Sequence, residues 1–219
     1  MGNLLNMSGG SLLNKGLPYD YEVEYLGFEK THSFKIDTDV IYKRNMGFGC
    51  EVSHFECTYI GTGSSGYSPL IGNTASRGSW ATFYVCPTNY PQYIGETTLD
   101  YGSTTYRLSV YIKGTDKQKI ELRPYNTTQL AVFLNDTQKK TVNSFTPTQN
   151  NSITFLNTPI YNYEGRLYRL FVYDTDGTYL FDAIPVRVGQ VGYMYDKVSG
   201  QLFGNAGTGA FILGPDKTN

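Results

Sequence analysis

Gly61-Thr62-Gly63-Ser64-Ser65-Gly66 has the spacing GxGxxG. In a dinucleotide site those glycines let the backbone approach a pyrophosphate at the N-terminus of a helix. Here Tyr67-Ser68-Pro69 follows, and the proline biases Ser68 towards extended geometry. The stretch therefore reads as a loop. No P-loop and no GxSxG nucleophile elbow occurs. His32 and His54, with Cys50, Cys57 and Cys86, are ligand types that zinc takes. They lack the CxxC and HxxxH spacings from which most zinc sites start. Three cysteines are an odd, sparse set, so buried free thiols are expected rather than a disulfide framework.

Glycoside hydrolysis needs two carboxylates about 5–10 Å apart, and alternate residues on a strand supply such pairs on one face. Glu22/Glu24 and Asp37/Asp39 have that spacing. The first pair alternates with apolar neighbours, as a solvated strand face does; the second reads as a strand end. Asp174-Thr175-Asp176-Gly177 offers oxygen ligands for calcium, but Pro185 stands where an EF-hand loop carries its closing Glu. A hairpin turn explains that motif without metal. No catalytic residue, metal or cofactor is expected.

Glycan binding needs aromatic faces plus polar groups that orient the sugar. In the stretch 80–95, Tyr90 and Tyr93 flank Pro91, with Asn89 and Gln92 beside them. A loop there would expose these side chains, so Asn89, Tyr90, Gln92 and Tyr93 form the candidate glycan-binding set. Trp80, Phe83 and Tyr84 are expected in the core.

The elements that must position such residues are strands. Tyr21, Val23 and Tyr25 alternate with acidic residues, and Tyr106, Leu108, Val110 and Ile112 continue the period of two. Ile120/Leu122, Leu130/Val132/Leu134, 167–173 and 179–188 follow it as well. Turn clusters lie at 61–66, 113–116, 147–151 and 174–177, and no helix-period stretch reaches ten residues. This spacing predicts an all-β sandwich or barrel of roughly twelve to fifteen strands. The chain has 219 residues, enough to bury a core without a metal or disulfide staple. Its 20 Tyr and 12 Phe suit half-buried strand surfaces.

Formal net charge is −1, from 18 basic and 19 acidic residues. No basic stripe exists beyond Lys139-Lys140, so nucleic acid is not an expected partner. No apolar run approaches the ~20 residues of a membrane span, and residues 1–6 lack the build of a secretory signal. Residues 1–16 stand apart as an N-terminal arm before a domain over 17–219. Two apolar pairs, Leu4-Leu5 and Leu12-Leu13, are separated by Ser8-Gly9-Gly10-Ser11. A solvated tail has no need of these leucines, so the segment reads either as a frayed terminus or as an arm that docks on a partner chain.

Two segments carry a family resemblance. Leu17-Pro18, Tyr21, Glu24-Tyr25-Leu26 and Ile36-Asp37-Thr38 open the domain. Gly165-Arg166-Leu167-Tyr168, Phe181-Asp182-Ala183-Ile184-Pro185-Val186-Arg187, Gly192 to Phe203 and Asn205-Ala206-Gly207-Thr208-Gly209-Ala210-Phe211 close it. In order and spacing this closing block resembles the laminin-G/concanavalin A-like jelly-roll domain of gut phage tail and fibre proteins and gut bacterial surface proteins. At the opening turn, Glu29-Lys30-Thr31-His32 stands where the family is rich in Ser, Thr and Gly. The resemblance implies a two-sheet antiparallel jelly roll. It further implies a bacteriophage virion component of fibre, tail or capsid-decorating kind, made in the host cytoplasm. Its implied partners are other virion proteins through the arm, further copies of itself, and a host surface glycan. The alternatives are a stand-alone bacterial carbohydrate-binding surface module and a concanavalin-like glycoside hydrolase. From the residues themselves, Tyr193, Tyr195 and Phe203 are expected to pack on one face, and 205–209 to turn the chain back for a last strand at 211–213.

Overall fold

The computed structural model describes residues 16–62, 66–73, 80–89, 93–112, 114–157 and 160–218. The arm leucines Leu4, Leu5, Leu12 and Leu13 lie outside them, as do Tyr90 and Gln92. Seventeen strands and no helix occur among the described residues. In chain order they are β1 (Tyr21–Glu22), β2 (Leu26–Phe28), β3 (Ile36–Ile41), β4 (Gly47–Tyr59), β5 (Ser68–Asn73) and β6 (Trp80–Val85). Then come β7 (Glu96–Gly102), β8 (Thr104–Tyr111), β9 (Gln118–Asn126), β10 (Gln129–Leu134), β11 (Thr137–Asn143) and β12 (Ser152–Phe155). The closing block supplies β13 (Tyr161–Tyr173), β14 (Tyr179–Val188), β15 (Val191–Asp196), β16 (Leu202–Phe203) and β17 (Ile212–Leu213). Three of the strands, β1, β16 and β17, are two residues long.

The strands form two antiparallel sheets, the sandwich expected from the alternation. The larger runs β11-β10-β9-β4-β13-β14-β15-β16, with β2 on β13, β17 on β2 and β1 on β14; the smaller runs β3-β12-β5-β6-β7-β8. One face of each sheet is apolar. Phe48, Cys50 and Val52 of β4, Ile120 and Leu122 of β9, and Leu170 and Val172 of β13 meet Phe83, Leu99 and Phe155 of the smaller sheet in one core. Phe48 and Phe83 touch edge to face across the sandwich, with ring centroids 5.7 Å apart. Buried hydroxyls are paired, Tyr42 with Tyr101 at 3.1 Å and Ser68 with Tyr163 at 2.8 Å, so the aromatic core leaves these polar tips satisfied.

Three expectations change. Asp37-Thr38-Asp39 lies inside β3 rather than at its end. Asp39, at a positive φ of 58°, lies in a bulge where the register with β12 shifts, and Thr38 Oγ1 donates to the Ile153 carbonyl at 2.8 Å across it. Phe203 does not share a face with Tyr193 and Tyr195. It is registered against Met194, and cross-strand partners point the same way. It therefore packs on Phe181 at 5.0 Å, while Tyr195 meets Tyr19 outside the core. Phe83 is buried as expected, but Tyr84 is only partly so.

The turn at 205–209 does return the chain, and its composition has a physical cause. Asn205 Oδ1 accepts from the Lys35 and Gly207 amides, and its Nδ2 donates to the Ser33 and Gly209 carbonyls. A Cβ on Gly207 would lie 2.0 Å from the Ser33 carbonyl oxygen. The turn can seat on 33–35 only with glycine at that position.

Candidate functional site

The two long central strands β4 and β13 pair over most of their length. Their inward residues build the core, so their alternate residues must line the outer face of the large sheet. One register row crosses that face as Phe133, Glu121, Gly49, Phe171 and Asp182. The rows beside it hold Lys119, Glu51 and Arg169, and Arg123, Gly47 and Tyr173. β4 thus presents glycine where its neighbours present large rings. A Cβ on Gly47 would lie 2.1 Å from Tyr173 Cε2, and one on Gly49 would lie 2.6 Å from Phe171 Cζ. The missing side chains let the two rings lie down across β4. They stack on each other, with centroids 6.1 Å apart and planes at 6°, and Tyr179 stands perpendicular to both.

The β13–β14 hairpin forms one wall. Its turn is the Asp174–Gly177 motif, closed by the Asp174 amide donating to the Thr178 carbonyl and by Asp176 Oδ1 accepting from the Thr178 amide. Asp174 Oδ1 in turn accepts from the Thr175 amide at 2.7 Å, so both carboxylates brace the turn. Lys119 and Arg123 of β9 form the opposite wall of an open groove of about 430 Å³. Phe171 and Tyr173 are its buried floor, while Tyr179 is 40% exposed.

The groove is dense in charge. Arg123 Nε and Nη2 donate to the two oxygens of Glu121 at 3.0 and 2.8 Å, a bidentate pair. Tyr173 donates to the same carboxylate. Lys119 reaches Glu121 at 3.3 Å and Asp136 at 2.7 Å. On the other side Asp182 accepts from Arg169 at 2.7 Å and Lys197 at 2.6 Å. The Arg169 guanidinium lies within 5.1 Å of the Phe171 centroid and 5.3 Å of that of Tyr179. Burial alone would raise the Glu121 carboxyl, yet the Arg123 and Tyr173 hydrogen bonds and the Lys119 charge hold it below its ordinary value. Asp182 is lowered against burial in the same way by Arg169 and Lys197. Burial, then the Glu121 charge, pushes the Tyr173 phenol up, so it stays a donor.

These features suit holding a ligand. An exposed aromatic face beside fixed donors and acceptors is what an orienting polar site needs. They do not suit two-carboxylate hydrolysis at Glu121 and Asp182. Those residues sit three strand spacings apart in one row, about 14 Å at 4.8 Å each, beyond the ~5–9.5 Å that glycosidases use.

Of the set proposed from the sequence, Asn89 and Tyr93 are among the described residues. Asn89 is spent on structure: its amide accepts from the Tyr59 amide at 3.4 Å and donates to the Tyr59 carbonyl at 3.3 Å, fixing the end of β4. Tyr93 is 36% exposed, with the Arg107 guanidinium 5.5 Å from its centroid. Neither borders the groove on the large sheet. The described part of the Gly61–Gly66 loop leads from one strand to another, without the helix a nucleotide site requires. A smaller cleft of about 210 Å³ lies between β4 and the 86–95 connection, lined by His54, Cys57, Cys86 and Thr88. All three cysteines are free and buried. Among the described residues, no group of three or more His, Cys, Asp or Glu is placed to hold a metal ion.

No protein-family model and no curated protein matches the sequence. Among solved structures, the chain is similar to a protein of Bacteroides ovatus ATCC 8483 assigned as carbohydrate binding. The TM-score is 0.54 at 9% identity, over 90% of this chain and 61% of that one. At that identity the likeness concerns the fold, and this chain spans about three fifths of that protein. SCP-B, a member of the eqolisin family of peptidases solved with the tripeptide Ala-Ile-His, aligns at a TM-score of 0.26 and 11% identity over 90% of this chain and 92% of that one. Taken together, the chain is an all-β, two-sheet antiparallel sandwich of the jelly-roll kind. Its outer large-sheet face carries an aromatic and charged groove.

Proposed function

We propose that this protein is a carbohydrate-binding module and that the sugar seats on Tyr179 in the groove of the large sheet. The observation that carries this reading is the groove's build. Two buried rings support an exposed third, and two networks of fixed charge flank them. The sandwich shared with the Bacteroides ovatus protein supports it, since that protein is assigned to carbohydrate binding. Aromatic rings take the apolar face of a sugar, and the carboxylates and guanidinium groups order its hydroxyls.

A glycan array with the isolated protein, followed by affinity electrophoresis, tests the reading. Tyr179→Ala is expected to abolish retention, and Tyr93→Ala to leave it unchanged. Retention lost with Tyr93→Ala and kept with Tyr179→Ala would move the site to the 89–93 loop. No retained glycan at all would sink the reading.

A second reading sets the module in a phage virion, anchored by the leucine arm. The order and spacing of the closing block over 165–211 favour it. Mass spectrometry of purified virions decides it, and absence of the protein from them removes it.

A further inference from the structure

The outer face of β13 extends well past the groove. Towards its start the outward residues are Arg166 and Tyr168, joined by Tyr25, which precedes β2. Tyr25 and Tyr168 pack with centroids 5.8 Å apart, and the Arg166 guanidinium lies 4.4 Å from the Tyr25 centroid. Ser53 Oγ is within 2.9 Å of both the Tyr168 hydroxyl and His54 Nδ1, which fixes the Tyr168 ring. Lys117 stands 5.5 Å from the Tyr168 centroid. About 23 Å of strand separates Arg166 from Tyr173, at roughly 3.3 Å per residue.

The cations of this face differ in one respect. Lys119 and Arg123 are paired with Glu121 and Asp136, Arg169 and Lys197 with Asp182, and Lys117 with Glu51. Arg166 makes no ion pair with a described carboxylate. It is half-buried, and its neighbours are two tyrosines and Ser53. A partly desolvated guanidinium held on an aromatic face, without an internal counter-ion, is a receptor for an external oxyanion.

We infer that the outer face takes one linear anionic polysaccharide, seated with a sugar ring on Tyr179 and an acidic substituent, carboxylate or sulfate, on Arg166. The inference rests on the carbohydrate-binding reading above and extends it in charge and in length. One sugar cannot span the two positions, so the affinity must grow with chain length. An ion pair at Arg166 also makes binding weaken with salt.

Isothermal titration with oligogalacturonides, sulfated galactan oligosaccharides and neutral glucan oligosaccharides, each as dimer and hexamer at two salt concentrations, tests this. The acidic hexamer is expected to bind at least about tenfold tighter than the acidic dimer. Arg166→Gln should weaken the acidic hexamer by about tenfold or more while leaving the neutral series unchanged. Arg166→Lys, which keeps the charge without the fork, should recover part of the loss. The thermal midpoint of each variant confirms that it is folded. A loss confined to the galacturonide or to the sulfated series names the substituent. If neutral oligosaccharides bind through Tyr179 and Arg166→Gln changes nothing, the anionic assignment is overturned and the carbohydrate-binding reading stands. If no series binds, both fall.

Discussion

Tyr173 and Glu121 belong to strands that are not neighbours, and the tyrosine hydroxyl reaches across β4 to donate to the carboxylate. The bond exists because β4 offers Gly47 and Gly49 where a side chain would stand between them. Residues with no side chain therefore fix the geometry of the groove floor.

Restoring a methyl group on β4 should show this. At Gly47 the new Cβ would meet the Tyr173 ring at 2.1 and 2.4 Å and the Leu122 carbonyl oxygen at 2.8 Å. The backbone contact cannot swing away, so Gly47→Ala is expected to lose about 1–3 kcal/mol of stability. It should also weaken any glycan that depends on Tyr179, which leans on Tyr173. Urea denaturation measures the first effect. An unchanged midpoint would contradict the close approach of ring and strand.

The ionisation of the groove predicts a pH dependence. Glu121 and Asp182 are both held below their ordinary values in the folded protein. Their ion pairs are thus fully present above the unfolded carboxylate range, about pH 4. They are lost as the pH falls further, through the folded values. Stability is expected to be flat from neutral pH down to about pH 5 and to drop below about pH 4. Glu121→Gln should cost about 1–3 kcal/mol at pH 7, towards the lower end because Arg123 and Lys119 are partly solvated. It should also flatten the acid limb. Denaturant midpoints between pH 2 and pH 7 (the range that brackets both carboxylates) report this, and identical acid limbs in the two proteins would refute it.

The sandwich was legible in the sequence because inward residues at alternate positions leave a plain period of two. The Asp174–Gly177 hairpin was legible because turn chemistry is local. The groove was not. Lys119, Glu121 and Arg123 are the polar half of an ordinary amphipathic strand, and nothing in 118–126 says which strands lie beside it. The useful signal was Gly47-x-Gly49 on one strand and Phe171-x-Tyr173 on another, but its meaning depends on a register between residues more than a hundred positions apart. At the 89–93 loop the sequence shows the exposed Tyr93 but not the structural role of Asn89. A tyrosine near a proline looks exposed locally, as Tyr93 is, whereas the bonds that engage Asn89 with Tyr59 at the end of β4 join residues thirty positions apart. Phe203 was misplaced because the face of a two-residue strand is set by its register with Met194.

The closing turn gives a prediction about the C-terminal strands. Asn205 makes four hydrogen bonds that bind the turn to 33–35 and to itself. Asn205→Ala leaves the Gly209 carbonyl and the Lys35 and Gly207 amides to find water, while the Ser33 carbonyl keeps the Thr208 amide, and about 1–3 kcal/mol of stability is expected to go. β17 is held to β2 over only two residues, so the loss should begin there. Hydrogen exchange should rise at Gly207, Thr208 and Leu213 before the core strands respond. A uniform rise across β4 and β13 would show instead that the turn unfolds only with the whole domain.

The cysteines yield a last, chemically separate prediction. Burial pushes the Cys57 thiol up to about 12, and burial likewise raises Cys50 and Cys86. Only a thiolate attacks a disulfide reagent, so at neutral pH the native protein should hold almost none. Cys57 lies under β6, its Sγ 3.8 Å from the Val85 carbonyl oxygen, and Cys50 is in the centre of the core. The native protein is expected to show no fast-reacting thiol with an aromatic disulfide reagent, and all three cysteines of the sequence after denaturation in guanidinium. Their rate in the native state should then report global opening, and so slow further with every gain in stability. A thiol that reacts in seconds without denaturant would show that the 210 Å³ cleft, which Cys57 and Cys86 line, admits the reagent.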